Sequence, residues 1–181
     1  MSNILVVTGS VRPNSVNSKV VSLVVRLLEQ RNLIVAVADL GELQLPFYDD
    51  PLPPSHPEFV PTNAGVRRWT AMVADADAVV LVTPEYNHTM SPVQLNAIDW
   101  IYKGWAGKLV ALIGYGWRSG AAQAHATARE ALAANLKAEV LDTQANLFFA
   151  KDLAPDGSML DEAAVLAKVN ASLDKIVAHL G

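Results

Sequence analysis

Short β-branched runs alternate with longer stretches of helical period along this chain. Ile4 to Thr8 precedes Lys19 to Gln30, Leu33 to Asp39 precedes Val66 to Asp75, and Ala78 to Thr83 precedes Pro92 to Tyr102. The order continues through Lys108 to Gly114, an alanine-rich stretch from Ala121 to Asn135, Glu139 to Asp142, and a terminal segment from about Asp161 to Leu180. Such alternation predicts βαβ units and a parallel sheet. The strand runs are apolar throughout, as expected of strands covered by helices on both faces. Five strands and five helices are predicted in a doubly wound, three-layer α/β sandwich. The length of 181 residues fits one domain spanning the whole chain.

Between Leu45 and Pro61 the periodicity breaks. Six of the ten prolines fall there, and proline removes backbone donors and disfavours helix, so an irregular loop is predicted. It could be a subunit-contact arm or a solvent-exposed connection. Runs such as Ala78 to Val82 and Leu109 to Ile113 are the longest apolar ones, far short of the roughly 18 to 20 residues a membrane span requires. The chain passes from Met1 directly into Ile4-Leu5-Val6-Val7 without a secretory pattern, so a cytoplasmic protein is expected.

Composition removes whole classes of chemistry. With no cysteine there is no disulfide, thiolate zinc site, iron–sulfur cluster or dithiol couple, so any redox role must borrow a cofactor. A net charge of −4 with scattered basic residues leaves no electrostatic footprint for nucleic acid or an anionic membrane.

In a doubly wound sheet, ligands bind beyond the carboxyl ends of the strands where strand order reverses. The loop after the first strand, Thr8-Gly9-Ser10-Val11-Arg12-Pro13-Asn14-Ser15-Val16-Asn17-Ser18, is crowded with small donors and opens a helix. A helix N-terminus offers free N–H groups and partial positive charge, so Ser10, Ser15 and Asn17 can complete a phosphate cradle there. The alternative is local: Ser15 or Asn17 caps the helix and Gly9 makes the turn, although Arg12 would then be superfluous. Neither a Walker loop nor Gly-x-Gly-x-x-Gly is present, which favours a mononucleotide over a dinucleotide. The loop after the third strand, Thr83-Pro84-Glu85-Tyr86-Asn87-His88-Thr89-Met90-Ser91-Pro92, is rigid, polar and aromatic, with Ser91 as N-cap and Pro92 at the first helical position of the next helix. A flavin ring needs amides along its pyrimidine edge and an aromatic or apolar wall, and Pro84 to Asn87 can provide both.

Gly-Ser-x-Arg-x-x-Ser-x-Asn after the first strand and Pro-Glu-Tyr-Asn after the third together resemble the NADPH-dependent FMN reductase family. The likeness extends from Ile4 to about Leu141 and includes Ser91, Pro92, Asn96, Ala97, Asp99 and Trp100 of the following helix. The resemblance implies a flavodoxin-like fold with strand order 2-1-3-4-5. It further implies that Ser10, Arg12, Ser15 and Asn17, with Val16 among them, hold the FMN phosphate, and that Pro84, Glu85, Tyr86 and Asn87 border the isoalloxazine. In the loop after the fourth strand relatives commonly place a serine near Gly116 and a Gly-Gly pair where this chain has Gly120-Ala121. Gly116, Trp117 and Ser119 are the cofactor positions expected there. Trp117 and Arg118 add a stacking surface and a cation, read either as substrate or nucleotide-phosphate contacts or as an interface tryptophan beside an exposed arginine.

No histidine pair has metal-ligand spacing and no Gly-x-Ser-x-Gly elbow occurs, so metal and hydrolase chemistry are not expected. His88 could donate a proton or simply be solvated, and His56, His125 and His179 read as surface positions. The expected reaction moves hydride from NADPH or NADH to FMN and then electrons to a small acceptor: free flavin, a quinone, an azo compound or a metal oxyanion. A flavodoxin-like electron carrier is the alternative, disfavoured by the lack of an acidic docking face. The resemblance implies a homodimer or homotetramer, for which Trp100 and Trp105 supply a candidate interface, Asp99 and Trp100 being read as either helix packing or a dimer contact.

Overall fold

A computed structural model describes residues 2–181. In chain order the elements are β1 (Asn3–Val7), α1 (Val16–Glu29), β2 (Ile34–Ala38), α2 (Leu40–Leu43), α3 (Ala64–Asp75), β3 (Ala78–Pro84) and α4 (Pro92–Asp99). A short 3-10 turn (Lys103–Trp105) precedes β4 (Leu109–Gly116), α5 (Ala122–Arg129) runs into a π turn (Glu130–Asn135), and β5 (Glu139–Val140), β6 (Ala145–Phe148) and α6 (Glu162–Leu180) complete the chain. The sheet is parallel, in the order β2-β1-β3-β4-β5, with β6 also paired to β4.

Sequence alone predicts one edge strand over Glu139 to Asp142. In the structure that edge is divided: β5 meets β4 at Leu109 and Val110, and β6 takes over at Ile113 to Gly116. The apolar strands sort by parity. Ile4, Val6, Val80 and Ile113 join α1 and α6 on one face, while Leu5, Val7, Val79 and Leu112 join α3, α4 and α5 on the other. The central strands β3 and β4 are buried along their whole length, which explains their unbroken apolar sequence.

The proline-rich segment carries no helix or strand, and its inner residues pack on their own chain. Tyr48 and Phe59 lie 4.8 and 6.4 Å from the Trp100 ring, and the Trp100 Nε1–H donates to the Pro46 carbonyl at 2.9 Å. Trp100 and Trp105 are therefore buried within the protomer, at 3% and 0% exposure, and the interface role expected of them is corrected. Ser91 is the α4 N-cap, followed by Pro92, but its hydroxyl makes no capping hydrogen bond.

Candidate active site

Three loops leave the carboxyl ends of β1, β3 and β4, and register brings them together: Val6 pairs with Val80, and Thr83 with Gly114. At Gly9 a Cβ would fall 2.3 Å from the Val82 carbonyl and 2.5 Å from Pro84 Cδ, so only glycine lets the first loop pass so close over β3. Asn17 fastens this crossing. Its Oδ1 accepts from the Gly9 N–H at 2.9 Å and its Nδ2 donates to the Val82 carbonyl at 3.0 Å, with the side chain 1% exposed. Ser15 caps α1 by accepting from the Asn17 N–H at 3.0 Å. Ser10 Oγ lies 3.2 Å from the Tyr86 hydroxyl, joining the first loop to the second.

The second loop is a hairpin. Tyr86 and Thr89 exchange backbone hydrogen bonds at 3.1 and 3.0 Å, and the two residues between them, Asn87 and His88, have φ of 49° and 61°. Two consecutive positive φ values define the tight turn asparagine tolerates best, so Asn87 stands at an exposed tip outside the cavity wall. The Glu85 side chain turns the other way, 6% exposed. Its Oε2 accepts from the Ser119 hydroxyl and from the Gln123 N–H at the start of α5 at 3.1 Å, where a carboxylate meets the positive end of the helix. Its other oxygen lies 3.8 Å from His88 Nδ1. Glu85 and Ser119 thus clasp the second loop to the third.

Between these loops lies a cavity of about 420 Å³. It is lined by Arg12, Asn14, Ser15 and Val16 of the first loop and α1, by Pro84, Glu85 and Tyr86 of the second loop, and by Tyr115, Gly116 and Trp117 with Phe149 and Pro155. Of the residues expected at a cofactor, Arg12, Ser15, Val16, Pro84, Glu85, Tyr86, Gly116 and Trp117 line it. Ser10, Asn17, Asn87 and Ser119 do not line it, and neither does the exposed Arg118. Sequence reasoning missed Asn14, Tyr115, Phe149 and Pro155. Burial pushes the Tyr115 phenol up to about 12, Asn17 lowering it and Tyr86 adding to the rise, so it remains a neutral donor. Trp117, 62% exposed, lies 4.9 Å from the Phe149 ring, which meets Tyr115 edge-on at 5.8 Å. Among the described residues no cluster of His, Asp and Glu could hold a metal, and no helix is long and apolar enough to cross a membrane.

His125, expected at the surface, is wholly buried in α5 beneath Gly114. Burial lowers its pKa to about 4, the nearby Asn146 pulling the other way, and neither ring nitrogen makes a hydrogen bond of normal geometry.

Residues 2–152 match the model of the family described as NADPH-dependent FMN reductase. The chain belongs to this family. An FMN reductase of this family is an oxidoreductase that uses FMN with NAD(P)H as co-substrate. Among solved structures, FerB of Paracoccus denitrificans, a flavoenzyme NAD(P)H:(acceptor) oxidoreductase, is 32% identical with a TM-score of 0.76 over 99% of both chains. The NAD(P)H-dependent FMN reductase ntnL of Nectria sp is 34% identical over 83% of this chain and 77% of its own. A 2-hydroxy-1,4-benzoquinone reductase of Burkholderia sp is 34% identical over 61% of this chain and 58% of its own. The flavodoxin-like fold expected from the motifs is the fold observed.

Proposed function

We propose that the cavity between the β1, β3 and β4 loops is the FMN site of an NAD(P)H-dependent reductase whose acceptor is a small planar molecule. The observation that carries this reading is the chemistry that meets in one cavity: Arg12, Asn14 and Ser15 at the α1 N-terminus, and Tyr86, Tyr115 and Trp117 on its aromatic walls. The first group suits a phosphate dianion and the second a flat aromatic ring. A volume of about 420 Å³ lies within the ordinary range of cofactor pockets.

In this reading the phosphate is held by the Arg12 guanidinium, the Ser15 hydroxyl and the start of α1 at Val16, with Ser10 beside them. Asn17 acts one step back, holding the loop in shape rather than donating to the phosphate. The Glu85 and Tyr86 N–H groups already donate to the Tyr115 and Thr89 carbonyls. Among the described residues the N–H groups of Asn87 and Trp117 have no such partner, and these are the amides assigned to the ring edge. Bound there, FMN supplies two-electron chemistry between the nicotinamide and the acceptor. The protein orients the reactants, excludes water with its aromatic walls and supports developing negative charge with its amides. Trp117 and Arg118, at the mouth, are assigned to nucleotide and acceptor contact. The quinone reductase named among the relatives supports a quinone as one such acceptor.

One domain over 1–181 in a cytoplasmic homodimer or homotetramer belongs to the same reading. It is supported by the single sheet shared by both cores and by the exposed Phe47. FMN titration and anaerobic spectra test the site: FMN should bind tighter than FAD, and NADPH or NADH should bleach the bound flavin. Equal affinity for the two flavins would refute the cradle, and bound flavin untouched by either nucleotide would leave an electron carrier.

A further inference from the structure

The family match ends at residue 152, yet the cavity wall continues beyond it. Resting on the cavity reading above, we propose that the Asp152–Lys168 pair is a positioning device that sets the width of the cavity mouth and thereby selects acceptors by size. Asp152 is 1% exposed, and a single carboxylate oxygen accepts both the Phe148 N–H at 2.7 Å and the Lys168 ammonium at 2.6 Å. The backbone folds back through Ala150 at φ 62°, so that the N–H groups of Asp152 and Leu153 both donate to the Phe148 carbonyl, at 2.8 and 3.0 Å. Both polar groups of the Phe148 peptide are thus tied to this turn, and Lys168 on α6 ties the turn to the body of the protein. Lys168 also sits 5.5 Å from the Phe148 ring centre.

Two contacts carry the position outward. The Phe148 ring presses on Gly120, where a Cβ would come within 2.7 Å of it. Phe149 lies against Trp117 at 4.9 Å and is, among the described residues, the one aromatic ring packed on it. The pair therefore bears on both ends of the Trp117 to Gly120 loop, whose Trp117 lines the cavity together with Tyr86. Releasing it lets the aromatic wall drift outward. A three-ring acceptor that fills the gap would feel this, and a one-ring acceptor would not.

The Asp152→Asn/Lys168→Met double variant removes both charges with little change in volume, and Lys168→Arg keeps the pair. With FMN saturating, the kcat/KM ratio of 1,4-benzoquinone to an anthraquinone sulfonate should shift by about three- to tenfold in the double variant, through the KM of the larger quinone. Turnover of benzoquinone should stay within about twofold, and Lys168→Arg should keep the wild-type ratio. In the apoprotein, acrylamide quenching of the fluorescence lost in Trp117→Phe reports Trp117 directly and should increase in the double variant. An unchanged ratio with unchanged quenching overturns the proposal, as does a uniform loss with all acceptors. If the wild type binds no FMN, the reductase reading fails while the quenching result alone still decides whether the pair positions Trp117.

Discussion

Asn17 looks from its motif like a phosphate ligand, but its side chain is committed to the Gly9 N–H and the Val82 carbonyl in a buried crossing. Truncation would leave the buried Gly9 N–H unpaired, at a cost of about 1 to 3 kcal/mol, while the Val82 carbonyl keeps the Gln94 amide at 3.2 Å. Asn17→Ala should therefore destabilise the apoprotein by about 1 to 3 kcal/mol as well as weaken FMN binding. A urea midpoint equal to wild type with lost FMN affinity would return Asn17 to the phosphate. His125 makes a second test at this scale. A histidine titrating near 6.5 when unfolded and at about 4 when folded binds more protons in the unfolded state between those values. Its contribution is complete above pH 6.5 and is lost as pH falls towards 4, by an amount on the order of 3 kcal/mol. Chemical denaturation at pH 7 and pH 4.5 should show this slope, and His125→Gln should flatten it. Nothing in the string Ala124-His125-Ala126 marks that histidine as buried, because its ring packs on Gly114, on a strand eleven residues earlier.

Elements were legible where periodicity was long and illegible where geometry is tertiary. The three site loops could be read because their glycines, prolines and hydroxyls have local reasons to occur between a buried strand and a helix. The divided edge of β5 and β6 could not. Ala145 to Phe148 is too short to display a period, and its register on β4 depends on where the β4 backbone has room. For the same reason Phe149 and Tyr115 escaped notice as cavity walls, while the Asn87 side chain stands exposed at the turn and leaves only its N–H for the ring edge. The β4 to α5 contact is narrow: a Cβ on Gly114 would fall 2.5 Å from both Ala121 Cβ and His125 Nε2 and 3.0 Å from the Thr83 carbonyl. Gly114→Ala must lift α5 from the sheet, an overpacking cost of about 1 to 3 kcal/mol. Lifting the helix also draws the Gln123 N–H away from Glu85, so FMN affinity should fall with stability. Calorimetry beside FMN titration checks this, and a loss of stability with wild-type affinity would show that the clasp does not shape the site.

At the scale of the molecule, the tryptophans once suited to an interface are buried within their own protomer, and the apolar surface that remains lies elsewhere. Phe47 is 82% exposed at the end of the proline-rich segment, Val60 is 71% exposed and Val11 51%. Phe47 borders an apolar cavity of about 270 Å³ lined also by Val11, Leu40, Leu45 and Val93, next to the cofactor loop that carries Arg12. A two-fold contact sets one patch against its own copy, so a protruding ring beside an apolar hollow is matched by a hollow and a ring opposite. Burying a phenylalanine side chain is worth about 1.5 to 3 kcal/mol, and a two-fold axis counts it twice. Phe47→Glu should therefore shift the assembly towards monomer in light scattering at micromolar concentration. Because Phe47 makes little contribution to its own protomer's core, the urea midpoint of the dissociated variant should fall only by what the interface contributed, and should no longer depend on protein concentration. A Phe47→Glu variant that stays assembled would place the contact on another face, and a wild-type protein already monomeric at that concentration would refute the assembly.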